Sequence, residues 1–296
     1  MSTTLKRIKL ELLKKLGKKY LLSKSPFNIE YIISLGDFFS QDTYYNPKSN
    51  CAEILTSIAW CYDIDKPIIF DIGAHCGYMT THFAKLLETN QPQIFSFEPV
   101  IPTFIDLMLI TKKLKINHLV NLIPAAISNK QEIVSLRYNK WESMLSQIKI
   151  ENENQLIYDK NSCHAVSTTI DQIVSQYSRQ PDLIKLDVEG FESNAIRGAK
   201  TLMQSNHKPA LCIEWNPETL HQCGSSKEEL AHLLGEYYFF YINDYEGKFI
   251  NFLDIIDDIT SISWVCNLFA IPKKSNKIDK WKYNITLLKN KYSIDL

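Results

Sequence analysis

Short apolar runs alternate along this chain with segments whose apolar residues recur every three or four positions, the pattern of strands alternating with helices. Strands are predicted at residues 68–71, 94–98, 122–126, 183–187 and 210–214, and helices at 52–62, 78–87, 102–114, 171–177, 193–204 and 227–234. That order describes an α/β fold built on a mostly parallel sheet with helices on both faces. Residues 237–242 and 263–271 add two closing strands joined by a long connection, an antiparallel hairpin at the end of the sheet. A polar excursion spans 139–161, where Trp141 and Tyr158 read either as a lid over a site or as anchors of a long loop.

The ends of the chain differ from its centre, and three parts are expected: an N-terminal helical extension over 1–50, one domain over 51–273 and a helical tail over 274–296. Leu5, Ile8, Leu12 and Leu16 fall on one helical stripe with lysines around most of the rest, a basic amphipathic helix. Such a helix either attaches to an anionic membrane surface or a protein partner, or packs on its own domain.

The first 24 residues carry Lys6, Arg7, Lys9, Lys14, Lys15, Lys18, Lys19 and Lys24 against Glu11 alone, while the whole chain has a formal net charge of zero. The remainder is therefore mildly acidic, which argues against nucleic acid as a substrate. No apolar run is long enough to span a bilayer and no secretory signal is visible, so a soluble, cytoplasmic protein is expected. The seven cysteines are scattered without metal-ligand spacing, which suits buried thiols in a reducing compartment and leaves the Asn284-Ile285-Thr286 sequon without consequence.

Candidate chemistry gathers where the predicted strands end. The first ends in Asp71-Ile72-Gly73-Ala74-His75-Cys76-Gly77, small residues that let a ligand approach backbone at a helix start. The second ends in Phe97-Glu98-Pro99, where the Glu98 carboxylate is placed to accept from both hydroxyls of a ribose. A nucleoside crevice follows. The loop is not G-x-G-x-x-G, and Asp71 would repel a pyrophosphate while attracting the sulfonium and ammonium of S-adenosylmethionine. His75, inside the loop, is placed either to touch the cofactor or to shape the turn, whereas His82 reads as structural.

Asp187, Glu189 and Glu214 also end strands. Any of them can serve as the base that removes a hydroxyl proton from an acceptor. Asp187 can instead hold the methionine ammonium, and Glu192 reads as an acid in a helix's first turn. Glu214 with Asn216 can line an acceptor pocket or, with Asp187, hold a divalent cation; no metal ligands are assigned.

These residues resemble the FkbM family of S-adenosylmethionine-dependent methyltransferases. The resemblance spans residues 67–273 and rests on the glycine loop, Phe97-Glu98-Pro99, Ala125-Ala126-Ile127-Ser128, Thr169-Ile170-Asp171, Lys185-Leu186-Asp187-Val188-Glu189-Gly190 with Gly198-Ala199, and Ile213-Glu214. His75 stands where the family usually has Asn. The resemblance implies a Rossmann-like class I fold with a seven-stranded sheet. It further implies S-adenosylmethionine held by Asp71, Gly73, His75, Gly77, Glu98, Pro99, Ala126 and Asp187, with adenine against residues 125–127. The implied reaction is O-methylation of a sugar, glycan or secondary metabolite. Two rivals remain at this point, a nicotinamide-dependent oxidoreductase and a non-catalytic nucleoside-binding module that docks a glycan-assembly partner.

Overall fold

A computed structural model describes residues 3–137, 162–244 and 250–295. The chain opens with helix α1 (Thr3–Lys15), the strands β1 (Tyr20–Lys24) and β2 (Glu30–Ser34), and helices α2 (Phe38–Tyr45) and α3 (Cys51–Cys61). The first 50 residues are therefore not helical throughout. Residues 20–34 form an antiparallel hairpin, because Ile33 and Tyr31 bury against the body while Tyr20 and Ser34 both donate to the Asp106 carboxylate at 2.6 Å.

The central portion alternates β3 (Ile68–Ile72), α4 (Tyr78–Leu86), β4 (Gln93–Phe97), α5 (Ile101–Lys113) and β5 (Val120–Ile123). Then come the short strands β6 (Ala126–Ile127), β7 (Ile133–Arg137) and β8 (Ser162–Thr168), followed by α6 (Ile170–Val174) and β9 (Leu183–Leu186). Helices α7 (Glu192–Arg197) and α8 (Lys200–Gln204) lead to β10 (Ala210–Trp215), α9 (Pro217–Gln222), α10 (Lys227–Leu233) and β11 (Tyr237–Asp244). The edge strand β12 (Ile255–Ile256), β13 (Cys266–Pro272) and α11 (Ile278–Tyr292) complete the order.

The main sheet runs β12-β11-β13-β10-β9-β3-β4-β5, with β10 to β5 parallel and β13 antiparallel to both of its neighbours. This is the Rossmann-like class I methyltransferase arrangement. It has eight strands rather than seven, because the connection after β11 returns along that strand's outer edge and pairs Ile255 with Phe240 and Ile256 with Phe239. The inner strands bury both faces, as parallel strands covered by helices must. Ile69, Ile94 and Phe269 enter one core with Phe83 and Trp281, and their alternates Phe70, Phe95 and Leu268 enter the other.

Two further expectations differ in detail, and one strand was not anticipated. The single strand predicted at 122–126 divides at Pro124, which has no N–H to donate, into β5 and β6, and β6 joins β8 and β7 in a separate three-stranded sheet. The helix predicted at 193–204 is two helices. A Cβ on Gly198 would lie 2.1 Å from Ser128 O, so the chain presses backbone to backbone there, and Asp171 restarts the helix by accepting from Thr201 N and Leu202 N at 2.7 and 2.9 Å. The strand β7 alternates buried Val134 and Leu136 with more exposed neighbours, a period-2 pattern short enough to pass as loop. Trp141, Tyr158 and the 139–161 excursion lie outside the described residues; among the described residues no helix is long and apolar enough to cross a membrane.

Helix α11 closes the face opposite α7. Trp281 stacks on Phe269 at 4.7 Å and donates to Thr56 O at 2.9 Å, while Asn284 donates to Ala59 O and Asp63 Oδ2. Asn284 is 3% exposed, so the sequon amide is held inside a helix contact.

Candidate active site

The loop after β3 turns through left-handed conformations at Gly73 (φ +81°), His75 (φ +51°) and Gly77 (φ +85°). Gly73 N and Ala74 N both donate to Phe97 O, which ties the loop to the end of β4. Glu98, 6% exposed, accepts from His75 N at 3.0 Å on one oxygen and from Val100 N at 2.9 Å on the other. Two loops are thereby fastened to one carboxylate at the mouth of the crevice.

The cavity above these strand ends is lined by the apolar residues Ile72, Phe97, Val100, Ala125, Ala126, Ile127 and Leu136, by Phe39, Asn50, Glu53, Lys185, Asp187, Glu189, Glu214 and Asn267, and by Gly73, His75, Glu98 and Pro99. Of the predicted site residues, Gly73, His75, Glu98, Pro99, Ala126, Asp187, Glu189 and Glu214 thus share one cavity.

Asp71 and Gly77 do not line it. Asp71 is fully buried, with Oδ2 accepting from Thr80 Oγ1 at 2.6 Å, and that hydroxyl lies 2.8 Å from Ser96 Oγ. Its parity along β3 matches Ile69, so it points beneath α4 rather than beyond the strand's end. Burial raises its pKa, Lys185 and the Thr80 hydroxyl opposing. Gly77 caps α4 against Leu107. Asn216 is also outside the cavity, as the N-cap of α9 accepting from Thr219 N.

Five carboxyl groups line the cavity, Glu53, Glu98, Asp187, Glu189 and Glu214, against the cations Lys185 and His75. Lys185 Nζ pairs with Asp187 Oδ2 at 2.9 Å. Although burial opposes its charge, Asp187 and Asp71 hold Lys185 protonated. Burial raises Glu53 to about 7, and burial with the neighbouring Asp187 and Glu192 raises Glu189 to about 8. Glu214 is pushed well above the carboxylate range by burial and by Asp187, and its Oε2 is buried without a partner. Glu189 itself is left-handed at φ +54°, a conformation uncommon for a residue with a side chain. Glu192 belongs to the backbone beneath: its Oε1 accepts from Val188 N and Gly190 N and so shapes the turn that presents Glu189.

His75 is positioned by the N-terminal extension, which the sequence did not connect to the site. Its Nε2 lies 3.3 Å from Asp37 Oδ2, and its ring meets Phe39 edge-on at 5.4 Å. Burial disfavours the charged ring, yet Cys76 and Asp37 outweigh it and lift the pKa well above the usual histidine value. Asp37, His75 and Cys76 offer ligand atoms within 4.8 Å of one another, the only such group of three among the described residues, so Asp187 and Glu214 form no such cluster. Asp37 already uses its other oxygen to cap α2 through Ser40 N. His82 is buried with its pKa lowered to about 4 by that burial, and bonds Tyr78 O as a structural residue.

Sequence reasoning missed Glu53 and Asn267. Asn267 Nδ2 donates to Glu53 Oε1 at 2.8 Å, joining α3 to β13 at the cavity wall. A signal was present: each is the one strongly polar residue in an apolar element, Glu53 in CAEILTSIAWC and Asn267 in CNLFAIP. Polar side chains buried in such runs need a partner or a task.

The sequence pattern of the methyltransferase FkbM domain matches residues 71–245. No curated protein sequence matches the chain. Among solved structures, the chain is similar to a methyltransferase FkbM from Methylobacillus flagellatus (15% identity, TM-score 0.42), over 70% of this chain but only 44% of that one. It is also similar to a putative rRNA-methylase from Clostridium thermocellum (12%, 0.44), over 77% of this chain and 97% of that one. An SAH-bound methyltransferase from Podospora anserina is a third (10%, 0.42), over 76% and 78%.

Proposed function

The chain belongs to the methyltransferase FkbM domain family, and from that premise we propose that it transfers a methyl group from S-adenosylmethionine to a hydroxyl on a sugar, glycan or secondary metabolite. The observation that carries this reading is the acid lining of the cavity: five carboxyl groups face it, and one of them, Glu214, leaves a buried oxygen without a partner. Such a donor set fits a ligand bearing a sulfonium and an ammonium. It opposes the pyrophosphate of a nicotinamide cofactor, which weakens the oxidoreductase reading.

In this reading Glu98 accepts from the ribose hydroxyls, the apolar wall at Ala125, Ala126 and Ile127 takes the adenine, and Asp187 faces the ammonium. Bound there, S-adenosylmethionine supplies an electrophilic methyl group. The residues of the chain orient the acceptor and remove its proton. Glu189, its pKa raised to about 8, is matched to accept a hydroxyl proton once it has ionised, and Glu214, also raised, is the second candidate in the same cavity. Glu53, fixed by Asn267, presents its second oxygen as a hydrogen-bond acceptor for a further hydroxyl. At about pH 7, where Glu189 still holds its proton, Glu189→Gln should leave the cofactor Kd near the wild-type value, and at about pH 8, where the wild type has begun to ionise, it should lower kcat by about 100-fold. Glu53→Gln should instead raise the acceptor KM; a variant pair with indistinguishable kinetics would remove this division of labour.

A pH dependence follows from the raised acids. Their folded pKa values lie above the ordinary carboxylate range, so without ligand they hold protons near neutrality and lose them as pH rises through about 7 to about 8. A cation binds the ionised cavity better, so affinity for S-adenosylmethionine should rise between about pH 6 and about pH 9, by at most about tenfold per pH unit for each proton released. S-adenosylhomocysteine lacks the sulfonium and should rise less steeply. Calorimetry of both compounds across that range reads the difference directly, and parallel curves would count against a sulfonium site. The reaction itself is tested by incubation with methyl-labelled cofactor and a panel of extracted glycans and small metabolites. If no compound gains label the proposal is overturned: retained cofactor affinity would then leave the non-catalytic nucleoside-binding reading, and loss of that affinity would remove both.

A further inference from the structure

The outward face of α1 is a feature that methyl transfer leaves without a task. Positions 5, 8, 12 and 16 follow the spacing of one helical stripe, and Leu5, Ile8, Leu12 and Leu16 are 55%, 52%, 56% and 73% exposed. Leu16 lies just beyond α1 but continues its turn, with N donating to Leu12 O at 3.0 Å. The helix is anchored by a different side. Leu10 is fully buried, Leu13 packs against the same core, and Lys6 Nζ donates to Tyr44 O at 2.7 Å. At about 100° per residue, Leu10 lies roughly 150° around the axis from the middle of the stripe. The helix therefore has two apolar faces, one packed on the body and one turned to solvent.

The charges around the solvent-facing stripe are of one sign. Lys9 and Lys15 flank it and Lys18 and Lys19 follow, while Glu11 is engaged by Lys14 at 2.8 Å. We propose that α1 docks the protein on an anionic lipid surface, laying Ile8, Leu12 and Leu16 into the boundary between headgroups and acyl chains while the flanking lysines meet lipid phosphates. Composition favours a bilayer over a protein groove. Lysine stems are long enough to keep their ammonium groups at the phosphates while the aliphatic residues sink. Protein interfaces, by contrast, are depleted in lysine and centre on Trp, Tyr or Arg, none of which lies on this stripe.

The test is co-sedimentation of the full chain with phosphatidylcholine vesicles containing about 30% phosphatidylglycerol, beside vesicles of phosphatidylcholine alone. The wild type should sediment with the anionic vesicles and at least about tenfold more weakly with the neutral ones. Ile8→Asp with Leu12→Asp, and separately Lys15→Glu with Lys18→Glu, should each lower binding by about tenfold or more while the unfolding midpoint and cofactor affinity stay unchanged. The second variant introduces no polar residue into the stripe, so it reads the charge contribution alone. No binding to anionic vesicles, or binding unaffected by either variant, would overturn the proposal. So would a wild type that self-associates in solution through this stripe and ignores vesicles.

Discussion

Glu98→Ala is expected to lower the affinity for S-adenosylmethionine by about 100-fold while moving the unfolding midpoint far less. The carboxylate already accepts one backbone N–H on each oxygen, from His75 and Val100, and each oxygen keeps a second lone pair toward the cavity. In the proposed complex those lone pairs accept from two ribose hydroxyls. Hydrogen bonds to a charged group contribute about 1.5–3 kcal/mol each, so losing both accounts for the expected change. The same substitution leaves two N–H groups at the rim to find water, which loosens the loop around His75. Glu98→Gln keeps the side-chain shape but loses the charge and turns one acceptor into a donor, and should lie between the two, about tenfold below wild type. Isothermal titration with the cofactor and its demethylated product checks the series. An alanine variant binding within about threefold of wild type would remove the ribose contact from the mechanism.

Gly73→Ala should be more damaging to the fold than any substitution confined to the cavity surface. A Cβ at this position would lie 1.8 Å from Asp187 O, and the backbone sits at φ +81°. The left-handed backbone costs a non-glycine residue about 1–2 kcal/mol, and displacing a neighbouring backbone adds about 1–3 kcal/mol, so destabilisation on the order of 3 kcal/mol is expected. The groups forced apart are the cofactor loop and the segment that carries Asp187 and Glu189. Cofactor binding and turnover should therefore fall together, unlike the Glu189→Gln variant, where only turnover falls. Thermal unfolding with and without cofactor separates the effects, and an alanine variant with wild-type stability would show that the loop and β9 do not meet as described.

The parallel core was legible because its strands are continuous apolar runs and its helices carry a second period. The cavity was legible for a related reason: acids placed at the ends of apolar runs, as at Glu98, Asp187 and Glu214, converge wherever such runs lie side by side. Asp71 misled because it sits one pleat too deep: it is level with Ser96 and Lys185, two residues short of Glu98 and Asp187 on the same face of the sheet, and so lies under α4 rather than in the crevice. Glu53 and Asn267 stood out as polar residues in apolar runs, but that they meet at the site, with Asp37 near it, was illegible for another reason. They reach the site from a helix, a strand and a loop whose positions depend on tertiary packing, and no local period reports on that. The hairpin at 20–34 was masked by the neighbouring lysine-rich pattern, although Tyr20 and Ser34 on its two strands meet the same carboxylate, Asp106.

The clasp between α3 and α11 bears on how the protein is made. Glu53 is held at the cavity wall by Asn267, and α3 is in turn held by Trp281 and Asn284, more than 200 residues downstream. During synthesis on the ribosome, α3 emerges early and must wait, its apolar sides uncovered, until β13 and α11 have left the exit tunnel. A nascent chain can lay down the loop around Gly73 long before then. A chain lacking α11 would leave Thr56 O and Ala59 O on α3 without the side chains that donate to them, and the wall carrying Glu53 would lose its outer support.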